Sequence, residues 1–231
     1  IAKAANRPKI TELKVSFSRD GFHWDRPYRD AFIPATRVPG SWDRGYVQSV
    51  GGICTVVGDQ LRFYYIGFKG GDSSSYMHSN GATGMATLRR DGFASMSTAG
   101  EGSLTTRPVK FSGKYMFVNV NCPAGELKVE ILDKNNKVID GFSADKCKAV
   151  TIDSTIQQVE WNGASDLSSL AGQEVRFRFK LKNGDLYAFW VSPSTNGESN
   201  GYVAGGGPGY TSNKDTEGKK AYEKASGFQK F

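Results

Sequence analysis

What this sequence lacks narrows it first. No run approaches the ~18 apolar residues that a membrane-spanning helix needs, so no membrane span is expected. Histidine occurs twice and cysteine three times in 231 residues. The spacing of Cys54, Cys122 and Cys147 matches no zinc motif, and no metal or cofactor is expected. Helix signals are scarce; the best, Asp166 to Gly172, offers one or two turns with an Asp cap and a Gly stop. The opening Ile1-Ala2-Lys3-Ala4-Ala5 has neither an initiator Met nor an apolar stretch, the pattern expected of a processed or truncated product.

What is present points to β structure. Glycine contributes 28 residues and Phe, Tyr and Trp together 12%, which suits tight turns and pleated surfaces. Leu13 to Ser18 alternates apolar and polar residues, as a half-buried strand does. Ile53–Val57 and Leu61–Ile66 are apolar runs joined by Gly58-Asp59-Gln60, which is hairpin chemistry, and Cys54 reads as core. Gly84–Arg89 is a further strand, ended by Arg90-Asp91-Gly92. Ser95–Gly102 is small and polar, a plausible boundary. Beyond it, short strands recur at 104–106, 115–120, 126–132, 137–139, 157–161, 174–181 and 186–191, separated by turns that include Lys182-Asn183-Gly184-Asp185. In Val175 to Leu181 every odd residue is apolar and every even one basic, giving one buried face and one cationic face. From Ser192 onward the pattern is lost, and a tail this rich in Gly and charge cannot fold alone.

Net charge is +7. Lys and Arg are scattered, with only Arg89-Arg90 and Lys219-Lys220 adjacent, and no nucleic-acid motif accompanies them. Nucleic acid is therefore not expected as a partner, and an acidic glycan fits the charge better. Arg176, Arg178 and Lys180 could meet such a glycan, or could be balanced by acidic cross-strand neighbours. Trp161 and Trp190 suit either core or platform. Cys122 and Cys147 bracket a hairpin-like stretch and are either joined by a disulfide or free and partly buried.

The sharpest local motif is Ser18-Arg19-Asp20-Gly21-Phe22-His23-Trp24. It resembles the Asp-box-like turn between outer strands of propeller blades in sialidases and related glycosidases, where the turn is structural. Asp20 is accordingly expected to be a turn residue. The series Trp24-Asp25-Arg26-Pro27, Gly40-Ser41-Trp42-Asp43, Leu61 to Gly67 and Thr83 to Phe93 is similar to the last part of a five-bladed propeller of the glycoside hydrolase family 32 and family 43 superfamily. Residues from Gly102 onward then resemble the β-sandwich that follows it.

That resemblance implies an all-β chain: one or two terminal propeller blades over 1–95, a β-sandwich (jelly-roll or concanavalin-like) over 96–193, and an irregular tail over 194–231. It implies a secreted, periplasmic or cell-surface bacterial protein acting on or binding a polysaccharide. Five blades of ~40 to 50 residues would need far more chain than precedes residue 95. The family's acidic catalytic residues lie on blades with no match here, so no catalytic residue is carried over. The remainder of the propeller, or another chain, is expected as a partner that covers the exposed strand edges. The alternatives are a non-catalytic carbohydrate-binding or cell-surface module, or a structural part of an assembly cut from a longer precursor. Within Gly40 to Gln48, Trp42 and Tyr46 are candidates to stack on a sugar, and Asp43 and Gln48 to bond its hydroxyls. His78, in the polar stretch Tyr76 to Gly81, is a further candidate contact. Each has a plainer role open to it, as a loop aromatic packed on a neighbour or as a solvated polar group.

Overall fold

The computed structural model describes residues 10–70 and 78–228. The readings made of Ile1 to Ala5 and of Tyr76-Met77 therefore lie outside the described residues. The chain is predominantly β, built from antiparallel sheets, and divides into two units. The first comprises the described residues of Ile1–Cys54 and Arg62–Thr87; the second comprises those of Thr55–Leu61 and Leu88–Phe231. Among the described residues no helix is long and apolar enough to cross a membrane.

In the first unit a two-residue ladder joins β1 (Phe17–Ser18) to β2 (Trp24–Asp25) across the Asp20 turn. A sheet follows in which β3 (Tyr46–Ser49) pairs with the far end of β5 (Gln60–Phe68), and β6 (Gly81–Arg89) also pairs with β5. Val47 is fully buried, and with Ile33 and Ala35 it forms a small core against Leu13, Phe32, Phe63, Tyr65 and Ala86. The alternation at Leu13–Ser18 yields a strand only at its end, because Leu13 makes an isolated bridge to Ile33.

In the second unit β4 (Thr55–Val57) turns at Gly58, where φ is +59°, into the first residues of β5. A five-stranded antiparallel sheet then carries the main core, in the order β10-β8-β11-β7 with β9 also on β11. Its members are β7 (Met96–Thr105), β8 (Tyr115–Asn121), β9 (Glu126–Leu132), β10 (Asp153–Val159) and β11 (Arg176–Ser192). Met116, Val118, Val120, Leu127, Val129, Ile131, Val175, Phe177, Phe179 and Leu181 all face that core. Burying a side chain the size of Phe177 contributes about 1.5–3 kcal/mol. The period-two expectation at 175–181 is met: the odd residues are buried and the even ones are not.

Several expectations are corrected. Lys182 to Asp185 is not a turn between two strands but a bulge inside one seventeen-residue strand. The register slips between Lys182 and Gly184, and Asn183 takes φ +44°. The bulge has room because two glycines face it. A Cβ on Gly184 would lie 2.7 Å from the Cβ of Cys122, and one on Gly125 would overlap the Lys182 carbonyl. In consequence β9 and β8 lie end to end along one edge of β11, opposite Arg176–Lys182 and Asp185–Ser192 respectively, while β7 takes the other edge. Ser95 to Gly102 is not a flexible boundary either; most of it belongs to β7, nearly all of whose side chains are exposed. The helix expected at 166–172 is a single 3₁₀ turn, Ser168–Leu170, preceded by Asp166, which accepts the Ser168 amide at 2.8 Å.

The tail is ordered against its own unit. Helix α1 (Lys219–Ala225) buries Ala221 and Ala225, and the Tyr222 hydroxyl meets Thr155 Oγ1 at 2.9 Å. Buried Arg90 donates to buried Asp215 at 2.9 Å and lies against the rings of Tyr210 and Tyr222. Only one narrow stripe of α1 is apolar, which left no helical period for the sequence to show.

Cys122 and Cys147 are both free and buried, so the disulfide considered between them is absent. Each thiol is used otherwise. Cys122 Sγ donates to the Val150 carbonyl at 3.1 Å, and Cys147 Sγ accepts the Val129 amide at 3.3 Å. Burial raises both thiol pKa values, which disfavours the reactive thiolate. Denatured without reductant, the protein is expected to show three titratable thiols; a bridge would leave one. Gly125→Ala or Gly184→Ala should lower unfolding free energy by about 1–3 kcal/mol, the usual cost of forcing a packed site apart. Gly100→Ala, where a methyl meets open space, should change it by under about 0.5 kcal/mol; urea unfolding of the three variants checks the contrast.

Candidate functional site

The five sequence candidates do not form one constellation, because β3 and β5 separate them. Tyr46 is registered with Phe68, Val47 with Gly67 and Gln48 with Ile66. Successive side chains on a strand point to opposite faces. Tyr46 and Gln48 therefore stand on one face, and the core face of Val47 and Gly67 carries Trp42 and Asp43.

On the first of these faces, Tyr46, Phe68 and His78 meet edge to face, with Tyr46 and His78 ring centroids 4.5 Å apart. His78 is thus an aromatic contact of the strand, and Gln48 stands exposed beside it. This cluster is held mainly by packing.

The other face is more distinctive. The Trp42 indole lies over Gly67 and Gly84: a Cβ on Gly67 would come within 2.6 Å of its Cζ3, and one on Gly84 would overlap its Cη2. Tyr65 packs beside it, ring centroids 5.5 Å apart and 31° between planes. Yet 37% of Trp42 remains exposed. The benzo ring of the indole thus meets bare backbone at both glycines, and part of it faces solvent.

The loop that carries Trp42 is braced from beneath. The amides of Thr36 and Arg37 donate to the carbonyls of Asp43 and Arg44 at 3.2 and 3.0 Å. Asp43 is only 7% exposed, and its Oδ1 accepts the Thr36 hydroxyl at 2.9 Å and the Ser41 hydroxyl at short range. Burial, assisted by the nearby Asp43 charge, raises the pKa of Tyr65. Asp43 thus holds the loop, and Trp42 presents the surface.

Three residues of this site went unnamed from sequence alone: Tyr65, Gly67 and Gly84. A signal existed, since an isolated glycine inside a strand marks a close approach of another group.

Elsewhere the plainer alternatives fit. Asp20 accepts the amides of His23 and Phe22 at 2.8 and 2.9 Å and the His23 ring nitrogen at 2.6 Å. The His23 amide and ring, then the Phe22 amide, hold its carboxyl far below the usual carboxylate range, as a turn residue requires. The Trp24 indole donates to Gly21 O at 3.1 Å but stays largely exposed instead of packing beneath the turn. In the second unit the cationic stripe is partly balanced across the strands: Glu130 of β9 pairs with Arg178 at 2.8 Å and Lys180 at 3.3 Å, while Arg176 donates to the Thr106 carbonyl at 3.2 Å. Trp161 is core, donating to Val129 O at 2.8 Å, while Trp190 stacks on Phe117 and donates to Gly197 O. Among the described residues no three His, Cys, Asp or Glu side chains are grouped to hold a metal ion.

No family model matches this chain, and no curated protein or solved structure matches it. The site is therefore read from its own geometry.

Replacing Gly84 by Ala should lift the Trp42 ring from the sheet while leaving the fold in place. The expected result is a changed near-ultraviolet dichroism spectrum, absent when the same change is made on a Trp42→Phe background.

Proposed function

We propose that this chain binds a poly- or oligosaccharide as the non-catalytic part of a secreted, glycoside-hydrolase-like protein, its first unit corresponding to terminal propeller blades and its second to the appended sandwich. The observation that carries this reading is the Trp42 ring, laid on Gly67 and Gly84 beside Tyr65 and open to solvent. The apolar C–H face of a pyranose carries partial positive charge and complements the negative face of an indole. A ring braced by bare backbone and by a tyrosine inclined 31° to it loses little freedom when a sugar lands on it, so binding costs less.

Binding is favoured over cleavage by the state of Asp43. A glycosidase needs two carboxylates free to act on opposite sides of the scissile bond. Asp43, the carboxylate adjoining Trp42, is buried and already accepts two hydroxyl hydrogen bonds through one oxygen. The resemblance of the hydrogen-bonded Asp20 turn to the structural turn of propeller glycosidases supports the placement within that kind of larger protein.

The test is affinity electrophoresis and calorimetry against a panel of plant and algal polysaccharides. At least one should bind, and Trp42→Ala should weaken it tenfold or more, the loss expected from about 1.4 kcal/mol or more of stacking, with far-ultraviolet dichroism unchanged. Binding unaffected by Trp42→Ala, or no binding across the panel, would refute the reading.

A further inference from the structure

Charge is divided unevenly along the chain. Of the net +7, residues 1–54 and 62–87 supply +5, from eleven Lys and Arg against six Asp and Glu, although they are about a third of the sequence. The second unit supplies the other +2, and there Arg90 pairs with Asp215 while Arg178 and Lys180 pair with Glu130.

Within the first unit the acids are largely committed. Glu12 is shared between Arg37 at 2.9 Å and Lys14 at 4.0 Å. Asp43 is buried under hydroxyl donors, and Asp20 is tied into its own turn. Asp25 and Asp30 are the remaining described carboxylates, and both lie with the exposed Arg26 and Arg29 in the segment from β2 onward. Among the described residues, the cations that follow Trp42 and Gly67 in the chain have no such counterpart. Arg44 is exposed, one residue beyond Asp43, and makes no ion pair among the described residues. Lys69 is exposed two residues beyond Gly67, the glycine on which the Trp42 ring rests, and likewise makes no ion pair among the described residues. An aromatic platform flanked by uncommitted cations recognises a ring that carries negative charge.

We propose that the Trp42 face takes an anionic sugar, a polysaccharide bearing carboxylate or sulfate groups, with Trp42 stacking on the ring and Arg44 and Lys69 meeting its charge. This rests on the sugar-binding reading above. An arginine fork suits either oxyanion, since both present paired oxygens to its donors. Because both cations are exposed, salt should screen their contribution within a Debye length of about 8–10 Å.

The experiment compares matched polymers in which only charge differs: polygalacturonate against its fully methyl-esterified form, and dextran sulfate against dextran. At low ionic strength at least one charged polymer should bind ten times or more tighter than its neutral counterpart. The pair that shows the gap identifies the anion as carboxylate or sulfate. Raising salt to half molar, or making Arg44→Gln with Lys69→Gln, should shrink that gap several-fold without altering binding of a neutral polymer. Trp42→Ala should weaken binding of the charged polymer as well. Equal binding of charged and neutral partners overturns this inference and leaves the sugar-binding reading standing. Charged binding that survives Trp42→Ala marks diffuse attraction to the basic unit and also overturns it. If none of these polymers binds, and none of the wider panel does, both readings fall.

Discussion

The second unit depends on β11 running unbroken through Asn183 and Gly184. A strand of seventeen residues would ordinarily twist out of register with its partners. Here the bulge bends the strand and accentuates its local twist, and β9 pairs with its first half while β8 pairs with its second. The close approach is possible only because Gly125 and Gly184 present hydrogen where any other residue would present a methyl. From that bend follow the rest: β7 on the opposite edge, β10 on β8, and a core drawn from both halves of β11.

The same device serves a different end in the first unit. Gly67 and Gly84 leave a bare patch of sheet, and the Trp42 ring occupies it. Bare backbone supports a large aromatic without competing side chains, while the buried Asp43 holds the loop that delivers it. The sheet thus has two unlike faces. One buries Val47 with its neighbours and carries Trp42 at its margin; the other carries the edge-to-face cluster of Tyr46, Phe68 and His78.

Buried charge follows a consistent pattern in the second unit. Glu130 is nearly inaccessible yet receives both Arg178 and Lys180, and Asp215 receives Arg90 between two tyrosine rings. A buried carboxylate is costly unless paired, so each of these acids requires its cations in place. The basic stripe on β11 is therefore part of the architecture, and the second of these pairs ties the tail to the turn that follows β6. What surplus positive charge the chain holds is concentrated in the other unit.

Local periodicity was enough to read the β class, the hairpin at Gly58, the buried odd residues of Val175 to Leu181 and the Asp20 turn, because each rests on neighbours within a few residues. Trp42 was legible as a candidate for the same reason, being an aromatic in a loop between turn glycines. Tertiary structure decided whatever depends on groups far apart in the chain. Asn183-Gly184 carries the composition of a turn, and only the partners across from it make it a bulge. Cys122 and Cys147 have a spacing open to a bridge, yet in the folded chain both are free, with separate hydrogen bonds to Val150 and Val129. Gly40 to Gln48 reads as one surface, yet the pleat of β3 sends Tyr46 and Gln48 to the face opposite Trp42. Gly67 and Gly84 meet an indole that lies more than twenty positions before either of them, and no local pattern encodes it.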